Sequence, residues 1–185
     1  KPVHILMHVG VDGQILGAQA VGADGVDRRI DVIATAMRAG LSATDLIDLD
    51  LAYAPPYGQA KDPVNQTGMV AHNVVTGELV LTGPDALTED MPILDVRTVG
   101  EYAAGHMPNS LNIPHTQLRE RLDEVRAWVE TNVGDQPFVV MCAAGVRSWI
   151  GYRIVRHAGF NVTMLSGGIQ TLRAWLGEKA EAVLV

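Results

Sequence analysis

The sequence predicts an α/β fold over residues 76–185, a mainly parallel sheet with helices on both faces, preceded over residues 1–75 by a smaller α+β segment. Three observations point there. From about Thr76 short apolar runs alternate with stretches of helical spacing, the pattern of βα units. The first 75 residues instead open on two apolar runs around Asp12-Gly13, the signal of an antiparallel hairpin. At 48% hydrophobic and 19% charged residues, a chain of 185 residues can bury a core for one or two domains.

In the first segment, Val3–Val9 and Ile15–Val21 read as the two hairpin strands. Ile30, Ile33, Ala34 and Met37 fall at helical spacing between Val26 and Ala39, and Gly40 supplies the stop. Ser42-Ala43-Thr44-Asp45 resembles a helix cap with Asp in the place of Glu or Gln. Tyr53-Ala54-Pro55-Pro56-Tyr57 cannot lie inside a helix, and Asp62-Pro63 opens one that runs to about His72. A lone hairpin rarely folds by itself, so residues 1–75 are expected to be part of a domain whose beginning precedes the chain.

In the second segment the expected strands are Leu79–Leu81, Ile93–Val96, Leu111–Ile113, Phe138–Met141 and Val162–Leu165. Helices are expected around Pro84–Leu87, Gly100–Ala104, Gln117–Glu130, Arg147–His157 and Gly168–Lys179. Ligands of parallel sheets sit beyond the carboxyl ends of the strands, and Cys142 stands at one of those ends.

Cys142 is the only cysteine, which excludes an internal disulfide or a CxxC metal or redox pair and makes the cytoplasm the expected compartment. No histidine shows ligand spacing, so no metal is expected. No apolar run approaches a membrane span. The net charge is −7, with 5 basic and 8 acidic residues before about residue 75 and 9 and 13 after it; neither part has a basic surplus, which argues against nucleic acid.

A lone cysteine is most often a small buried hydrophobe. Here it lies between a strand end and a helix start, where backbone N–H groups and the helix dipole favour a thiolate. Gly145 permits a strained turn, while Ala143 and Ala144 bring no charge. Arg147 can tie the loop to a carboxylate or face an anion. With no adjacent histidine, activation falls to the loop amides of residues 143–148 and the helix dipole.

Leu94-Asp95-Val96-Arg97, Glu101-Tyr102, Gly105-His106-Met107-Pro108, Asn112-Ile113-Pro114, the Cys142–Ser148 loop and Leu165-Ser166-Gly167-Gly168-Ile169 with Trp175 resemble a rhodanese domain over residues 76–185. The resemblance implies a sulfurtransferase in which Cys142 carries sulfane sulfur as a persulfide. Cys142 and Arg147 would be the catalytic residues, Arg147 anchoring the loop or meeting the anion; Ala143, Ala144, Gly145, Val146 and Ser148 would form the substrate loop, and Asp95 and Arg97 would support it. Four residues separate Cys142 from Arg147. Phosphatases of the same fold have five, so phosphate or arsenate chemistry is disfavoured. The Ala143-Ala144 pair lacks the basic side chains of thiosulfate-using relatives, which implies polysulfide or a small-thiol persulfide as donor and a thiol as acceptor.

Ile15–Gly22, Asp31–Ala36, Leu51–Tyr57 and Lys61-Asp62-Pro63-Val64-Asn65 resemble the carboxyl-terminal dimerisation domain of pyridine nucleotide-disulfide reductases, nearest the coenzyme A-disulfide reductase and NADH oxidase branch. That resemblance implies a homodimeric parent using FAD, NAD(P)H and coenzyme A, with Tyr53 and Tyr57 as candidate coenzyme A or partner contacts. No Gly-x-Gly-x-x-Gly occurs, so this chain itself is expected to bind neither FAD nor NAD. The rival of a different class is a non-catalytic docking and dimerisation module, against which an intact Cys142 and Arg147 speak.

Overall fold

The computed structural model describes residues 3–56 and 58–185, and the chain divides into two compact units, one ending at Leu79 and one beginning at Val80. In the first, strands β1 (Val3–Val9) and β2 (Ile15–Gly22) form an antiparallel hairpin in the register Ile5↔Ala20 and Met7↔Ala18. Alternation then sends Ile5, Met7, Val9 and Ala18 inward, against Ile33 and Ala36 of helix α1 (Val26–Arg38) and Val64 and Ala71 of helix α2 (Pro63–Val75). Asp62 caps α2: its side chain accepts from the Val64 amide, and Asn65 returns a bond to the Asp62 amide. The same carboxylate takes Arg28 and Arg29 of α1, so one residue starts α2 and ties it to α1. Ser42 and Asp45 exchange bonds ahead of a 3₁₀ turn at Asp45–Asp48.

The second unit is a five-stranded parallel sheet. Its strands are β3 (Leu81–Thr82), β4 (Ile93–Asp95), β5 (Ser110–Asn112), β6 (Phe138–Met141) and β7 (Val162–Leu165), in the spatial order β3-β7-β6-β4-β5. The helices are α3 (Val99–Ala103), α4 (Leu122–Trp128), α5 (Val146–His157), α6 (Gly168–Leu176) and α7 (Ala180–Val183). Both faces are covered. Gly151 of α5 lies so close to Val96, Leu118 and Val140 that a Cβ would touch all three side chains, whereas Ile169 and Leu172 of α6 pack with Val139 and Met141 on the opposite face. All four residues of β6 are accordingly buried, which is why this strand reads as an unbroken apolar run.

Two expected helices differ. Residues 84–87 form only a turn, closed by the Ala86 amide on the Gly83 carbonyl, because Pro84 and Asp85 favour a turn over propagation. The helix expected from Gln117 starts at Leu122, after successive turns that begin at Pro114, and it widens into a π-helical turn at Val129–Val133. The chain leaves β4 toward β5 on one side and later leaves β6 toward β7 on the other, so the topological switch point lies between the carboxyl ends of β4 and β6.

Candidate active site

Asp95 ends β4, and Cys142 directly follows β6; the Val96 amide bonds the Met141 carbonyl between them. The sheet therefore delivers the cysteine to its switch point. Cys142 is 1% exposed. Gly145 adopts φ +119°, a conformation closed to most side chains, and turns its N–H onto Cys142 Sγ at 3.2 Å. Ser148, fully buried on the first turn of α5, sits 3.3 Å from Sγ and donates its hydroxyl to the Gly145 carbonyl at 2.8 Å. A hydroxyl has one proton and two lone pairs, so Ser148 accepts from the thiol and can turn to donate to a thiolate.

Arg147 leaves the loop rather than entering it. Its two terminal nitrogens each meet one oxygen of Glu101 at 2.7 Å, a bidentate ion pair. Glu101 also accepts from the Thr98 amide and hydroxyl, while Thr98 Oγ1 accepts from the Glu101 amide, closing a capping box at the start of α3. The Arg147 bonds, then those from Thr98, hold the Glu101 carboxyl far below the usual carboxylate range, and Glu101 in turn raises Arg147.

Beneath this clasp, Arg97 and Asp95 form a buried pair through Nε and a terminal nitrogen. Arg97 also donates to the main-chain carbonyls of Glu101 and Gly105, and Asn112 donates to those of Asp95 and Arg97. A buried ion pair is tolerable only when its remaining valences are filled, as they are here. The chain of contacts thus runs from the end of β4, through Arg97 to α3, through Glu101 to Arg147, and so to the cysteine loop.

A second support comes from α6. The amides of Ile169 and Gln170 donate to the carbonyls of Cys142 and Ala143, and Gly168 lies so close that a Cβ would stand 2.6 Å from the Cys142 carbonyl oxygen. The structure thus gathers Asp95, Arg97 and the segment 142–148 in one network. Tyr53 belongs to the other unit and is 54% exposed; Tyr57 lies outside the described residues. Glu101 is a contributor that the sequence reading did not single out; that reading places Ser148 in the substrate loop for its amide, and the structure adds its hydroxyl. Thr98-x-x-Glu101 was a visible capping-box signal for the first, whereas nothing in the sequence shows that the cap also receives Arg147. Among the described residues no group of three or more His, Cys, Asp or Glu could hold a metal, and no helix is long and apolar enough to cross a membrane.

Two family models match the chain. Residues 83–174 match the rhodanese-like domain, and residues 3–63 match the pyridine nucleotide-disulphide oxidoreductase dimerisation domain. The chain joins a rhodanese-like domain to a reductase dimerisation domain. The rhodanese-like part is the one that holds Cys142 and its network. Among curated proteins, the coenzyme A disulfide reductase of Staphylococcus aureus (strain bovine RF122 / ET3-1) is 44% identical over 72 residues, 38% of this chain and 16% of that protein. Among solved structures, reduced Bacillus anthracis CoADR-RHD matches with a TM-score of 0.86 and 37% identity, covering 100% of this chain and 32% of its own. A NAD-dependent persulfide reductase from A. fulgidus matches with a TM-score of 0.78 and 40% identity, covering 90% of this chain and 29% of its own. The chain therefore spans a third or less of each of these proteins.

Proposed function

We propose that the chain is a sulfurtransferase that carries sulfane sulfur as a persulfide on Cys142, within the terminal part of a longer, homodimeric, flavin-dependent coenzyme A-disulfide or polysulfide reductase. Residues 76–185 are the transfer domain and residues 1–75 contribute to dimerisation. The observation that carries the reading is the setting of Cys142 Sγ: it stands at the switch point of a parallel sheet with the Gly145 amide and Ser148 hydroxyl on it, in a loop whose one cation is committed to Glu101. The names of the relatives support a persulfide or coenzyme A disulfide as the parent's substrate.

In the forward step the Cys142 thiolate attacks the sulfane sulfur of a donor. A new S–S bond forms, the donor's own bond to that sulfur breaks, and the leaving group departs with the electron pair. Gly145 N–H and the Ser148 hydroxyl stabilise the anion on Sγ before attack and after the sulfur has been passed on. Arg147 acts as a positioning residue, because its guanidinium is spent on Glu101. Thiosulfate, a dianion, finds no free cation in the loop, so neutral-tailed or singly charged donors such as polysulfides and small-thiol persulfides are preferred. No glycine-rich phosphate loop occurs here, so FAD and NAD(P)H belong to the longer protein and no step of this chain runs through them.

The test is intact-mass analysis after polysulfide treatment, on this chain and on Cys142→Ser. The wild type gains the mass of one sulfur and loses it to an added thiol; the same gain in Cys142→Ser overturns the reading.

A further inference from the structure

The rhodanese-like unit holds a second concavity, at the end of the sheet away from Cys142. A cavity of about 440 Å³ opens where the chain enters β4 and β5, between Pro92, Leu111 and Trp128, with Asp90, Asn109 and Asn132 completing its wall. Cys142 follows the carboxyl end of β6, so the two places lie at opposite ends of one parallel sheet. The cavity has the size of a small-molecule site.

Two local irregularities build its wall. Asn109 has φ +59°, the one non-glycine residue with positive φ among the described residues, and Ser110 pins that turn by donating its hydroxyl to the Met107 carbonyl at 2.6 Å. Helix α4 widens into its π-helical turn directly after Trp128, and Asn132 of that turn donates its side-chain amide to the Trp128 carbonyl at 3.2 Å. The Trp128 ring is held by a near-perpendicular contact with buried Phe138, the centroids 5.4 Å apart.

The polar groups left over on this wall are mostly acceptors. The Asn132 bond spends its nitrogen and leaves Oδ1, and the Asn109 side chain makes no hydrogen bond among the described residues. Asp90 is held below the usual carboxylate range by the Thr88 hydroxyl and by its own amide, so it is charged at neutral pH. Among the described residues no lysine, arginine or histidine lines the cavity. The wall thus offers one carboxylate, two amide oxygens and an indole, in a chain of net charge −7. Such a wall repels phosphates and thiosulfate. An alkylammonium fits it: the head carries three donors and no acceptor, and an aromatic ring attracts both the charge and the hydrocarbon behind it.

We propose that this cavity is a binding site for an aliphatic ammonium ion. Its charge meets Asp90, its N–H groups donate to the Asn109 and Asn132 side-chain oxygens, and its hydrocarbon arm lies along Trp128 and Leu111. The site is separate from sulfur transfer and does not depend on a persulfide at Cys142.

The experiment follows the indole and side-chain amide NMR signals of the chain while diaminobutane is added, and repeats the titration with butanediol, the same arm with hydroxyls in place of the ammonium groups. Diaminobutane shifts the Trp128 indole and the Asn109 side-chain amide to saturation, and leaves the indoles of Trp149 and Trp175 in place; butanediol moves none of them. Added salt weakens the binding, and Asp90→Asn weakens it by about fivefold or more. An unmoved Trp128 indole, equal shifts with butanediol, or an affinity unchanged in Asp90→Asn overturns the proposal. Equal movement of all three indoles also overturns it, since that is the general attraction of a cation to an acidic chain. The comparison of the two probes needs only the wild type, so the proposal stays testable even where the variant does not fold.

Discussion

Glu101 Oε2 receives Arg147 at 2.7 Å and the Thr98 amide at 3.0 Å, so one carboxylate oxygen both starts α3 and fixes the cysteine loop. Replacing Glu101 by Gln preserves the cap, since Gln also serves in a capping box, and removes the charge together with one of the two acceptor oxygens that Arg147 uses. The pair is partly exposed, so the stability loss is about 0.5–1 kcal/mol. Arg147 is then free to meet an anion. Turnover with thiosulfate therefore rises in Glu101→Gln relative to polysulfide; a fall in that ratio contradicts the positioning role given to Arg147.

Ser148→Ala removes one of the two groups bonded to Cys142 Sγ. A hydrogen bond to a charged atom is worth about 1.5 kcal/mol or more, so alkylation of Cys142 by iodoacetamide at neutral pH slows by about tenfold. Ser148→Thr, which keeps the hydroxyl, restores most of the rate. Equal rates in the wild type and the alanine variant would show that the hydroxyl does not act on the sulfur.

Gly168→Ala and Gly159→Ala separate close approach from backbone strain. Both glycines have positive φ, but nothing lies within 4 Å of a Cβ at Gly159, whereas a Cβ at Gly168 meets the backbone of Cys142 and Ala143 at 2.6–2.7 Å. Gly159→Ala costs about 1 kcal/mol and Gly168→Ala about 3 kcal/mol or more. Urea denaturation measures the difference. Only Gly168→Ala should speed hydrogen exchange at Ile169 and Gln170, whose amides hold the loop carbonyls.

Acid weakens both units, and the sign follows from two carboxylates. Glu101 is held low chiefly by Arg147. For Asp62, burial pushes upward, but the Val64 amide and the Arg29 and Arg28 bonds outweigh it, so its carboxyl is also held low. Unfolded carboxyls titrate near about 4, and as pH falls the unfolded state takes up these protons first. The stabilisation is complete above about pH 5 and is lost progressively as pH falls below about 4 toward the folded values. Urea midpoints measured from about pH 6 down to about pH 3 should therefore fall less steeply in Glu101→Gln and Asp62→Asn than in the wild type.

Much of this fold is legible because burial writes itself into the sequence. β6 lies between two strands and under two helix layers, so Phe138–Met141 had to be apolar on both faces. The Asp62-Pro63 start of α2 was equally plain, since cap and first-turn proline are local chemistry. Residues 84–87 and the late start of α4 were not, because turn and helix compete there within a few residues and the choice falls to hydrogen bonds formed on folding. The site divides along the same line. Cys142 and Gly145 announce themselves by position and type, whereas Glu101 and Arg147 meet across 46 residues, and neither local pattern specifies the other.

Cys142 is 1% exposed, and that figure makes the two halves of its proposed cycle unequal in reach. A donor must bring its sulfur to an almost sealed atom. Once loaded, the reacting atom is no longer Sγ but one a bond of about 2 Å farther along. The resting protein thus hides its thiol from casual oxidants, while the loaded protein holds its cargo at the end of a longer arm, where an acceptor can collect it without entering as deeply as the donor did.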